Sequence, residues 1–380
     1  MQRLFLSSDQ MAAARGTVPS LDGLRAISIM LVLAAHFVDP GIFPGGLGVY
    51  VFFVISGFLI SRLLLTEHKS TGQISIPMFY MRRVLRLYPV IVAYIICVIG
   101  AHIATGRPYN LLEPASALLY FANYFYVYHQ VHHIPIEMPF GPFWSLSVEE
   151  HFYILFPVTL LLFRGNPRRL LVVLTGLCAG CLGLRILGAW WHPAYLDTEV
   201  FYSESQYRID SIAFGVILAL VCEMESGRAL IRRMAGPGSA LAAAIVVLAC
   251  LIVRDAWFRE TLRYTVLGGA IGVLVAAVLF SPDLRPVQRI LNSAVFVWVG
   301  RLSYSLYVWH EGVASFVPDH VIPLWQAAAV KLCATLAIAT VSFYVVEQPF
   351  LRLRRYLPGL RPALALRSSA NRRLHATPGA

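Results

Sequence analysis

Arg25 and His36 stand eleven residues apart inside the first apolar stretch of the chain. At ~100° per residue this spacing brings both side chains to within ~20° of one helix face, with about 16 Å of rise between them. Ionisable side chains within a lipid span are costly and mark sites of function. The pair therefore predicts a reaction site built into a membrane, with one end near Arg25 and the other near His36. Simpler roles exist for each alone. Arg25 suits an anchor that reaches back to the headgroups, and His36 suits helix packing. Anchoring does not account for a histidine on the same face.

Other residues of chemical interest lie further along. The stretch from Gly46 to Ile60 holds Ser56 and Gly57 among small residues that allow close helix approach. Arg82, Arg83 and Arg86 follow, with Arg82 and Arg86 at i, i+4 on one face and Pro89 close behind. They read either as a plain topology signal or as a cradle for phosphates, to which arginine's planar fork offers bidentate contacts. Trp144-Ser145-Leu146-Ser147-Val148-Glu149-Glu150 brings two adjacent carboxylates to the mouth of an apolar span. Trp144 suits an interfacial aromatic belt, but the carboxylates are expensive there unless something uses them. Arg208 and Asp210 open another span. Tyr304, Tyr307 and His310 share a helix that begins near Gly300, and Glu347-Gln348-Pro349-Phe350 closes the last span.

The elements that must position these residues are membrane spans. Hydrophobic residues form 58% of the 380 and charged residues 13%, with a mean hydropathy of +0.67. A soluble domain carries roughly twice that charge fraction. The net charge of +11 is almost all arginine, since Lys69 and Lys331 are the two lysines. Nucleic-acid binding is the usual meaning of a basic chain, but these arginines cluster in short connections between apolar segments, a membrane-topology pattern. All six cysteines (Cys97, Cys178, Cys181, Cys222, Cys250, Cys333) fall in apolar segments, which suits packed thiols rather than a disulfide framework or metal site. Residues 1–20 lack a cleavable signal pattern, so the first span is expected to stay as an anchor.

Apolar segments run near 24–40, 46–65, 87–105, 114–128, 144–163, 170–190, 206–222, 239–256, 262–280, 295–315 and 324–346. If all of them crossed, the basic clusters on either side of 114–128 would face opposite sides. That segment is also the shortest and most polar, so it is expected to be re-entrant or interfacial. The expectation is an all-α polytopic protein of about ten spans, with both termini cytoplasmic in a bacterial inner membrane. Tyr128 to Pro142 and Trp191 to Ser205 would face outward. The spanning domain would cover 21–353, after a cytoplasmic segment 1–20 and before a basic, disordered tail, 354–380. No internal repeat is evident.

In this order, these strings resemble the acyltransferase 3 family of integral-membrane O-acyltransferases over about Leu21 to Leu353. The family's Arg-x10-His pair falls on Arg25 and His36, and its serine-glycine element on Ser56 and Gly57. Its arginine-rich element falls on Arg82, Arg83 and Arg86. Trp-Ser-Leu-Ser-x-Glu-Glu matches Trp144 to Glu150, and Tyr-Ser-x-Tyr-x-x-His matches Tyr304 to His310. Tyr50 departs from the pattern, since many relatives carry an aspartate there. Some relatives are fused to a soluble extracytoplasmic hydrolase-like domain. This chain is expected to work alone or with a separate partner of that kind.

The resemblance implies transfer of an acyl group, often acetyl, from cytoplasmic acyl-CoA to a hydroxyl of a surface or lipid-linked carbohydrate or a glycoside. No tightly bound cofactor is implied; acyl-CoA is a substrate. Arg25, Arg82, Arg83 and Arg86 would neutralise its phosphates. His36 would be the general base, oriented by Glu149 or Glu150 at the outer end, with a covalent acyl-histidine as the less favoured variant. Ser56, Trp144, Ser147, Arg208, Asp210, Tyr304, Tyr307 and His310 would bind substrate or support the site. The main alternative is a transporter or flippase of polar glycans. A non-catalytic scaffold leaves the paired carboxylates and the Arg25–His36 pair unexplained.

Overall fold

The computed structural model describes residues 18–317 and 322–353. The basic tail and all but the end of the N-terminal segment thus lie outside the described residues. Among the described residues the regular structure is entirely helical. The principal helices are α1 (Leu21–Phe37), α2 (Gly45–Thr71), α3 (Ile76–Thr105), α4 (Leu112–Leu118), α5 (Ala122–Val131), α6 (Phe143–Leu162) and α7 (Pro167–Trp191). They continue with α8 (Asp210–Glu223), α9 (Glu225–Met234), α10 (Pro237–Ile252), α11 (Leu262–Phe280), α12 (Ala294–Ala314) and α13 (Leu324–Val341). Backbone polar groups cannot be left unpaired in hydrocarbon, which is why a chain this apolar folds as helices.

Seven helical stretches are long and apolar enough to cross a membrane: α2, α3, α6, α7, Ser205–Glu223, α11 and Leu324–Leu353. The pair α9 and α10, bent by 81°, forms an eighth if taken as one span. The 17-residue α1 and the polar α12, with Arg301, His310 and Glu311, are not among them. The expected ten is therefore an approximate count. The apolar segment 114–128 does not form one helix. It breaks at Tyr120, whose φ of 56° is left-handed, leaving the short α4 and α5. Neither reaches the ~20 residues a span requires.

α1 packs between α2 and α12, α2 packs on α8, and α8 packs on α7 and α11. Close approach at the centre depends on glycine. A Cβ at Gly57 would lie 2.1 Å from the Ile212 carbonyl oxygen, and one at Gly215 would lie 1.9 Å from that of Val54. The small residues of α2 thus let the α8 backbone reach it, as the sequence suggests. α1 thus carries Arg25 near one end of the bundle and His36 near the other.

Candidate active site

Two cavities enter the bundle from opposite ends of α1. The smaller, of about 190 Å³, is lined by Arg25 from α1, Ser56 from α2, Arg83 and Arg86 from α3, Glu149 from α6 and Tyr304 from α12. These arginines are not equivalent. Arg83 donates to Glu150 Oε1 from Nε at 2.9 Å and from Nη2 at 2.5 Å, and its guanidinium lies 3.6 Å from the centre of the Tyr153 ring. The nearest carboxylate to Arg25 is Asp22, one turn away at 3.7 Å, which is too long for a hydrogen bond. Arg86 makes no hydrogen bond or ion pair with another described residue. Arg25 and Arg86 therefore keep donors free for an anionic ligand.

The larger cavity, of about 1070 Å³, receives His36. α1 ends one residue later, at Phe37, so its last turn carries the imidazole to the cavity wall. His36 Nδ1 lies 2.9 Å from the Val32 carbonyl oxygen. A carbonyl can only accept, so Nδ1 carries the hydrogen and Nε2 keeps its lone pair. The ring meets His310 edge-on, with centroids 4.7 Å apart. His310 is buried and likewise directs Nδ1 to a backbone carbonyl, that of Tyr307, at 2.6 Å. Glu311 lines the same cavity.

Val49 and Tyr307 line both cavities and form the wall between them. The Tyr307 hydroxyl donates to the Pro142 carbonyl at 2.9 Å and lies 2.6 Å from Ser145 Oγ, which fixes the ring from the α6 side. The arrangement is a pair of substrate spaces with a cationic site in one, a free imidazole nitrogen in the other, and a thin side-chain partition between them.

A family model describing an acyltransferase domain matches residues 18–346. The chain belongs to the acyltransferase 3 family. It is 29% identical over 352 residues to the peptidoglycan O-acetyltransferase OatA of Listeria monocytogenes, covering 88% of this chain and 56% of that protein. It is 28% identical over 351 residues to the O-acetyltransferase OatA of Staphylococcus aureus, covering 87% and 57%. The chain thus spans a little over half the length of these curated relatives. No solved structure matches it. Family membership identifies residues 18–346 as an acyltransferase domain.

The structure brings together some of the family-motif residues and separates others. Arg25, Arg83, Arg86, Ser56, Tyr304 and Glu149 share the smaller cavity, while His36, Trp144, Arg208 and Tyr307 line the larger. Glu149 and Glu150 do not reach His36. α6 begins at Phe143, so both carboxylates lie about two turns inside the helix rather than at its mouth. Glu149 faces the arginines and Glu150 is bound to Arg83; the Val32 carbonyl and His310 orient His36 instead. Arg82 points away from the cavity and donates to Glu67 at 2.8 Å. Ser147 is buried and donates to the Phe143 carbonyl at 3.0 Å, lining neither cavity.

Asp210 is likewise a structural group. It accepts from Arg185 Nη2 at 2.8 Å with both side chains fully buried. Arg185 also donates to the Thr261 and Tyr207 carbonyls and to Thr265 Oγ1, tying α7 to α8 and α11. The sequence reading missed Arg185 and Glu311. Glu311 carried a usable signal, a carboxylate next to His310 near the end of a helix of membrane-spanning length. Arg185 sits among apolar residues of α7, and its partner on α8 is distant in sequence.

Proposed function

We propose that this chain moves an acyl group, most simply acetyl, from cytoplasmic acyl-CoA to a hydroxyl of an extracytoplasmic carbohydrate or glycoside. The observation that supports it is the shared wall: the arginine-lined cavity and the His36 cavity meet at Val49 and Tyr307. In this reading the Arg25 end is cytoplasmic, as its arginine-rich connections favour, in a bacterial inner membrane with both termini inside. CoA phosphates bind Arg25 and Arg86, and the pantetheine arm directs the thioester toward Tyr307. The acceptor occupies the larger cavity. A separate extracytoplasmic partner is compatible with this reading.

His36 Nε2 takes the proton of the acceptor hydroxyl. The freed oxygen attacks the thioester carbonyl, and collapse of the tetrahedral intermediate breaks the C–S bond. The imidazolium returns its proton to the departing CoA sulfur, giving an ester and free CoA. His310 acts through His36 as a positioning residue, and Glu149 and Glu150 balance the charge of the donor arginines. The same two opposed cavities suit a transporter that alternates access through the Tyr307 wall. Acceptor-dependent CoA release by purified protein separates the readings, since a transporter releases none. Near-normal turnover by folded His36→Ala protein would overturn the catalytic assignment.

A further inference from the structure

Arg208 has no counter-ion among the described residues. It is fully buried, lines the larger cavity, and has no carboxylate within ion-pairing distance among the described residues. Its Nε and Nη1 lack hydrogen-bond partners. Aromatic faces surround it instead: the guanidinium lies 4.2 Å from the Tyr264 ring centre, 5.0 Å from Tyr50 and 5.3 Å from Tyr202. Such faces partly compensate a cation but leave Nε and Nη1 without an acceptor, and a buried charge without an ionic partner is strongly unfavourable. Asp210, two residues away, is held by Arg185.

Three further arginines, Arg254, Arg259 and Arg263, line the same cavity, against the two carboxylates of Glu199 and Glu311. Arg259 and Arg263 each stand 3.8 Å from Glu260 Oε1, beyond hydrogen-bond reach. These residues sit at the His36 end, opposite the basic connections that mark the other end of the bundle. Their placement runs against the positive-inside distribution, so topology does not explain them.

We infer that the larger cavity selects an anionic acceptor, a glycan or glycoside whose carboxylate or phosphate group pairs with the buried Arg208 while a neighbouring hydroxyl faces His36. The outer arginines raise the local concentration of such acceptors, and the planar Arg208 fork fixes their register. The inference rests on the proposed acceptor role of this cavity. Position 50 gives a means of control, because a carboxylate replacing Tyr50 beside Arg208 supplies an internal anion and removes the vacancy that the acceptor fills.

The test compares methyl glucuronide and glucose 1-phosphate with methyl glucoside, using full-length protein in lipid nanodiscs. Equilibrium binding is measured by calorimetry and acceptor-dependent CoA release from acetyl-CoA in parallel. A charge-assisted pair predicts binding ~10- to 100-fold tighter for an anionic probe than for the neutral glucoside. The carboxylate and phosphate arms show which anion the site takes. Arg208→Gln and Tyr50→Asp should each collapse that ratio, and Arg208→Lys should restore only part of it. The Tyr50 variant keeps the test decisive if Arg208→Gln fails to fold. Equal binding of charged and neutral probes by the wild type overturns the inference, as does a preference that survives in a folded variant. Anion-selective binding without any CoA release would count against the acyl-transfer reading and leave anion recognition standing.

Discussion

Replacing Arg25 by glutamine should weaken acyl-CoA binding through the phosphates alone. The Arg25–Asp22 separation of 3.7 Å is too long for a hydrogen bond, so its loss should cost the fold little. The guanidinium faces the smaller cavity beside Arg86, and losing a charge-assisted bond to phosphate raises a dissociation constant by ~10- to 100-fold. The assay is steady-state CoA or pantetheine release with two donors, acetyl-CoA and S-acetylpantetheine, the second having the same thioester but no phosphate. Arg25→Gln should raise the acetyl-CoA KM by that factor and leave S-acetylpantetheine nearly unchanged. Arg86→Gln should behave alike. Arg83→Gln should differ, because Arg83 is occupied by Glu150 and its removal leaves that carboxylate unpaired. Equal losses with both donors in Arg25→Gln, or no loss with either, would refute the assignment of the smaller cavity to the phosphates.

Three further outcomes follow from the geometry. Arg185→Ala strands the buried Asp210 and should destabilise the fold by ~3–5 kcal/mol, lowering the midpoint in thermal scanning fluorimetry. Gly57→Ala drives a methyl into the Ile212 carbonyl and should destabilise by ~1–3 kcal/mol or more, since backbone yields less readily than a side chain. The same thermal assay reads it. Tyr307→Ala opens the wall between the cavities. Water from the His36 side should then reach the thioester, so acceptor-independent CoA release should rise several-fold over wild type.

Helix periodicity made the Arg25–His36 pair legible, because both residues lie on one α1 face and their separation is a property of that helix alone. The close packing at Gly57 was legible for the same reason, being written in the small residues of α2. Glu149 and Glu150 were misplaced although α6 begins where the apolar segment does: they lie about two turns beyond Phe143, and helix packing turns Glu149 to the smaller cavity and Glu150 to Arg83. Arg82 and Arg83 are neighbours in sequence, yet Glu67 and Glu150 draw them to different environments. The aromatic surround of Arg208 combines side chains from α2 and α11 with residues of the connection before α8. It appears only once those elements pack together.

Acyl transfer between opposite faces of the membrane is measured most directly in sealed vesicles. Inverted and right-side-out vesicles containing the protein would receive radiolabelled acetyl-CoA on one face and a panel of neutral and acidic methyl glycosides on the other. Labelled ester should appear in the acceptor compartment only when the donor faces the Arg25 end and the acceptor faces the His36 end. It should vanish in His36→Ala. Equal ester formation with donor and acceptor confined to one side would contradict a two-cavity site divided at Tyr307.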